Sequence, residues 1–144
     1  NMKTLSVSFI VIILLTTNCT VKPEPILYGK DMCHACKMTI MDKKFGAEIV
    51  TKKGKIYKFD DLNCMVSFYH SSYEDKNNIA QILVVDFAST ENLIDATTAT
   101  YVFSNEIRSP MASGMAAFRN SNDINNYNTE WNGEILSWEQ VIRK

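Results

Sequence analysis

Cys33-His34-Ala35-Cys36-Lys37-Met38 sets two thiols and a thioether within six residues. Soft sulfur donors of this kind select Cu(I), Zn(II) or iron–sulfur clusters over hard cations. The Cys33/Cys36 spacing lets both sulfurs converge on one metal or bond to each other. Cys64 is a further thiol, and His34 and His70 are the two imidazoles. Methionines gather near the thiols. Met32, Met38 and Met41 flank the pair, Met65 adjoins Cys64, and Met111 and Met115 lie in Ser109-Pro110-Met111-Ala112-Ser113-Gly114-Met115.

Four chemistries compete for these sulfurs. A structural zinc site needs four strong ligands in a tetrahedron; only one C-x-x-C is present, and Cys64, His34 and His70 would have to complete it. A thioredoxin-like pair needs its C-x-x-C at a helix N-terminus after a buried strand, and Pro25-Ile26-Leu27-Tyr28-Gly29 is too broken for that strand. A Cys33–Cys36 disulfide leaves the methionines unexplained. Cu(I) fits best, because it accepts thiolates and thioethers at low coordination number. Met38 reaches the same metal if its segment is extended, and Met111 would close the site from the second half of the chain. His34 and His70 are weaker candidates, and Cys64 reads most simply as a small core hydrophobe.

The ends of the chain set the compartment. Lys3, an apolar run from Val7 to Leu15 and then Thr16-Thr17-Asn18-Cys19 have the form of an export signal, too short to span a bilayer. Residues 1–18 are expected to be removed and Cys19 to carry lipid. Residues 19–30 then form a tether, stiffened by Pro23 and Pro25. From Cys19 onward fourteen basic side chains face sixteen acidic ones, a net charge of −2 that argues against nucleic acid. With Cys19 lipidated, three thiols remain, and an odd number cannot all pair within one molecule. At least one is free, reactive or metal-bound.

The elements that must position these groups read as an α+β fold of two similar halves, residues 31–90 and 91–144 of a single domain. In the first, Ala47–Thr51 and Lys55–Phe59 form a hairpin about Lys52-Lys53-Gly54. Asp60 or Asp61 caps a helix through Leu62, Met65, Val66 and Tyr69, Asn77-Asn78 breaks it, and Ile82–Val85 is a buried strand. In the second, Thr100–Ser104 and Met115–Phe118 are strands, Ser121 caps a short polar helix, Glu134–Leu136 is a strand and Ser137 caps a last helix from Trp138. Strand–strand–helix–strand thus occurs twice, with 88–95 as the connector. Asp31–Met41 has no strong period and reads as a loop.

The ordered set of Cys33-x-x-Cys36-x-Met38, Tyr57-x-Phe59-Asp60-Asp61, Asp86-Phe87, Ile94-Asp95-Ala96, Tyr101-Val102, Ser109-Pro110-Met111-x-x-Gly114, Ala117-Phe118 and Gly133-Glu134-Ile135-Leu136-Ser137-Trp138 resembles the NosL family, the lipoprotein copper chaperones accessory to nitrous oxide reductase. The resemblance runs from about Asp31 to the C-terminus. It implies two small ββαβ-like units, similar to those of the alkylmercury lyase fold. It also implies Cu(I) held by Cys36 and Met38, with Met111 and Cys33 as further ligands. The protein would be a non-enzymatic carrier, anchored at the outer or cell membrane through Cys19 and facing the extracytoplasmic space. Its partner would be apo nitrous oxide reductase with its copper-assembly machinery. The residue-level alternatives are a thiol–disulfide oxidoreductase or organometal lyase working through the C-x-x-C, and a scaffold that only binds partners. Where the family has Gly, this chain has Lys37. A φ above zero there would strain a lysine, and a nearby ammonium would lower the Cys36 thiol pKa.

Overall fold

The computed structural model describes residues 20–144. The expected leader and the lipidation candidate Cys19 lie outside the described residues. Among those described, no helix is long and apolar enough to cross a membrane.

The first sheet has the order β2-β1-β3-β4, all antiparallel. Its strands are β1 (Ala47–Thr51), β2 (Ile56–Phe59), β3 (Ile79–Asp86) and β4 (Ser89–Asp95). Helix α1 (Leu62–His70) follows β2 and lies on this sheet, burying Leu62, Cys64, Met65, Val66 and Phe68. Its start is set by Asp61, whose carboxylate accepts the Leu62 N–H at 2.8 Å. A single turn at Lys76–Asn78 then leads into β3.

The second sheet has the order β6-β5-β7, from β5 (Thr100–Phe103), β6 (Met115–Phe118) and β7 (Glu134–Leu136). Between β6 and β7 a turn at Ser121–Ile124 runs into α2 (Asn125–Trp131). Asn132 ends α2 in the left-handed conformation, φ 45°, one of the few side chains that tolerate it. Ser137 and Gln140 form a reciprocal capping box at the start of α3 (Trp138–Val141).

The expected repeat is present in the topology. In each sheet the first strand lies between its hairpin partner and the strand that follows the helix: β2-β1-β3 and β6-β5-β7. The sheets are tied where the Phe87 N–H donates to the Ala117 carbonyl at 2.8 Å. One core contains Ile49, Tyr57, Phe59 and Met65 from the first half with Tyr101, Met115 and Ala117 from the second. A smaller core gathers Phe118, Ile124, Val102 and Phe45.

Two expectations fail. Asn120, not Ser121, caps the turn that leads into α2, accepting the Asn122 N–H at 3.0 Å. The segment 88–95, read as the connector between halves, is mostly β4, an edge strand paired with β3 through Ile94–Val84 and Leu93–Val85. Its sequence, Ser-Thr-Glu-Asn-Leu-Ile-Asp, is polar because an edge strand half-covered by its neighbour needs few apolar side chains. The turn before it is only Phe87-Ala88, held by the Ala88 N–H on Asp86 Oδ1 at 3.2 Å.

Candidate metal centre

The loop that carries the C-x-x-C is an irregular hairpin arm. Met32 faces Thr39 in an isolated antiparallel bridge. The Cys33 N–H donates to Met38 O at 2.8 Å and the Ile40 N–H to Asp31 O at 2.9 Å. Between the arms the chain makes one helical turn, closed by the Lys37 N–H on Cys33 O at 2.9 Å. Residues three apart on such a turn share a face, so the sulfurs of Cys33 and Cys36 point the same way. The His34 N–H docks the turn onto β2 through Lys58 O at 2.8 Å. The Lys58 ammonium holds the loop's base by an ion pair to Asp31 at 2.7 Å.

Lys37 has φ 65°. The expected strain is real: a left-handed lysine closes a turn that glycine would close without cost.

Docked this way, the loop meets the junction of β2 and α1. The sulfurs of Cys33, Cys36 and Cys64 and one carboxylate oxygen of Asp60 all lie within 4.8 Å of one another. Cys33, Asp60 and Cys64 are buried, at 0, 3 and 7 % exposure. Cys36 is half-buried, so the cluster opens to solvent at that thiol. The Cys36 S–H donates to Asp60 Oδ2 at 3.4 Å. Asp60 Oδ1 is buried and has no hydrogen-bond partner among the described residues. An orphaned carboxylate oxygen beside three free thiols is a costly arrangement unless a cation or proton occupies it.

Burial pushes the Cys36 thiol up; the Met38 N–H holds it down in part, while Cys33 and Asp60 raise it further. Lys37 does not depress it, contrary to expectation, because nearby thiol and carboxylate groups and desolvation dominate. Burial, then Cys33 and Asp60, push Cys64 up strongly. Thiols raised in this way at Cys36 and Cys64 suit a metal that displaces their protons on arrival.

Of the four candidate ligands read from the sequence, the cluster contains Cys33 and Cys36. Met38 is 59 % exposed on the arm. Met111 is half-buried against the same core as Cys36. Its N–H donates to Asp61 Oδ2 at 2.9 Å, and its carbonyl accepts from the Asn63 side chain at 2.6 Å. The loop 109–114 is therefore held at the start of α1, against Asp61 and Asn63. Asp61 also accepts from the Ser113 N–H at 3.2 Å and from the Ser113 hydroxyl.

The histidines are elsewhere. The His34 ring packs edge-on against Tyr57, Phe68 and Tyr73, at 4.8, 5.2 and 5.3 Å between centroids. Burial, then Lys37 and Lys55, lower its pKa. His70, at the end of α1, contacts the Ile142 carbonyl.

The sequence reads Cys64 as a core side chain and Asp60 as a possible cap; the structure keeps Cys64 in the core and places both beside Cys33 and Cys36. The available signal was the doublet itself: one carboxylate suffices to cap a helix, so the other was unassigned.

An α+β domain of two small antiparallel sheets, with three thiols and a carboxylate gathered at a helix start, has the chemistry of a soft-metal-binding protein. The NosL family model matches residues 26–144, and the chain belongs to that family. The fold is similar to that in the crystal structure of the copper chaperone NosL from Shewanella denitrificans. The TM-score is 0.71 and the identity 18 %, over 84 % of this chain and 96 % of that one. No curated protein matches the chain at a significant level.

Proposed function

We propose that this protein is a membrane-anchored, extracytoplasmic carrier that takes up Cu(I) and hands it to apo nitrous oxide reductase during assembly. The observation that carries the reading is the convergence of Cys33, Cys36, Cys64 and Asp60 within 4.8 Å. Family membership supports copper as the cargo.

Cys36 is the thiol open to solvent and is the first to bind and the last to release. Cys33 and Cys64 supply thiolates from the buried side, and Met111 and Met38 supply thioethers from the two flanking loops. Cu(I) needs only two or three of these at once. The spare donors allow transfer one bond at a time: an incoming sulfur from the recipient adds as one of these leaves, and the ion is never free. Copper is cargo here, and no bond of a substrate is made or broken. Cys19 supplies the lipid anchor, and the few residues up to Pro23 link it to the domain, which the chain joins at Glu24, bonded to Glu48 at 2.8 Å, and at Ile26, buried in the core.

Competition titration of the reduced protein against a Cu(I) chelator tests the reading. One tightly bound equivalent is expected, weakened at least tenfold (about 1.4 kcal/mol) by Cys36→Ser. Binding of Zn(II) in preference to Cu(I) would overturn it. So would catalysed reduction of insulin disulfides that Cys36→Ser abolishes.

A further inference from the structure

Exposed sulfur surrounds the thiol cluster, and the tight site does not account for all of it. Among the described residues the exposed large hydrophobic side chains are Leu27, Met32, Met38, Met41, Tyr73 and Ile135. Three are methionines of one hairpin, Met32 on its first arm and Met38 and Met41 on its second, at 57, 59 and 68 % exposure in chain order. A lone exposed apolar side chain needs no explanation. Three of one soft-donor type on one short hairpin do.

The hairpin sorts them into an outer face and a path inward. Met32 lies opposite Thr39. Ile40 is fully buried, and the exposed Thr39 and Met41 lie on either side of it. Alternation therefore puts Met32, Thr39 and Met41 on the same outward face. Diagonal neighbours of this kind sit about 7–8 Å apart, within reach of two long side chains. Met38 adjoins Thr39 in the chain, and its backbone carbonyl accepts the Cys33 N–H at 2.8 Å, so its backbone links this face to the thiol-bearing turn.

We propose that Met32 and Met41 form a second, outer site for a soft monovalent cation, from which Cu(I) passes by way of Met38 to Cys36. The inference rests on the reading of the protein as a Cu(I) carrier. Thioethers are neutral and bind without losing a proton, whereas each thiol must release one to become a ligand. Donor strength and burial therefore rise together along the path, from exposed thioether to half-buried Cys36 to the buried Cys33 and Cys64. Each transfer forms one Cu–S bond as another breaks. The copper stays Cu(I), and the Cys36 proton leaves to solvent when the first thiolate bond forms.

The test is an anaerobic titration of the reduced full chain, carrying 13C-methyl methionine, with the acetonitrile complex of Cu(I). The tight equivalent should fill first, and a second, weaker one should shift the Met32 and Met41 methyl signals. Met32→Leu combined with Met41→Leu conserves volume. It should remove the second equivalent, leave the tight affinity within about twofold, and slow loading about tenfold. A second equivalent that persists in the double variant overturns the outer site. Wild type that takes the tight equivalent and no other overturns the outer site alone. Wild type that takes neither overturns the carrier reading with it.

Discussion

The Met111 N–H donates to Asp61 Oδ2 at 2.9 Å across fifty residues of sequence. The same buried carboxylate caps α1 and binds Ser113. Asp61 therefore fixes the second-half loop to the helix that carries Cys64. Asp61→Asn turns an N–H donor toward donors that had an acceptor, and should cost about 2 kcal/mol or more, read by urea denaturation. It should also weaken Cu(I) binding by loosening Met111. In a Met111→Leu background that weakening should vanish, which a double-mutant cycle measures.

Cys64 should rank with Cys33 as a ligand despite its place in the core. Cys64→Ser is expected to lower Cu(I) affinity about tenfold or more, while Cys64→Ala should cost comparatively little fold stability because the site is already polar. Chelator competition and thermal melting of the same variants separate the two effects.

The thiols of Cys36 and Cys64 are pushed above their ordinary pKa. At neutral pH they hold protons that Cu(I) must displace. Affinity should therefore rise with pH, by about one log unit per pH unit for each proton released. A Cu(I) affinity that is flat between pH 6 and 8 would contradict thiolate ligation.

Glu48 is fully buried on β1. One oxygen accepts the Glu24 N–H at 2.8 Å, and the other has no partner among the described residues. Burial pushes its pKa up to about 7, only partly offset by the Glu24 N–H and Lys58. Below about pH 4.5 both folded and unfolded chains hold the proton. Between there and about 7 only the folded chain does, so stability falls as pH rises through this window and levels off above it. Glu48→Gln should flatten that slope and raise stability at pH 8 by about 1–3 kcal/mol, as read by denaturation across pH.

Lys37, at φ 65°, holds a left-handed conformation that favours glycine. Lys37→Gly should relieve the left-handed strain and stabilise the protein by about 1 kcal/mol. Differential scanning calorimetry checks this. An unchanged melting temperature would show that the turn bears no strain.

The sequence by itself determined the two ββαβ patterns, because alternating β-formers, the Gly54 turn and the Asp61 and Ser137 caps are local signals that act within a few residues. It also determined that Cys33 and Cys36 lie close together, since their spacing alone brings the sulfurs to one side of a turn. β4 escaped because an edge strand can be polar and is defined by its neighbour, not by its own pattern. Asp60 and Cys64 joined the thiols only in the tertiary structure. Their convergence depends on the loop docking onto Lys58 O, and on β2 ending where α1 begins. The loop that carries Met111 reaches the start of α1 for the same kind of reason: a buried carboxylate must have its hydrogen bonds satisfied, and the donors that satisfy Asp61 come from the other half of the chain.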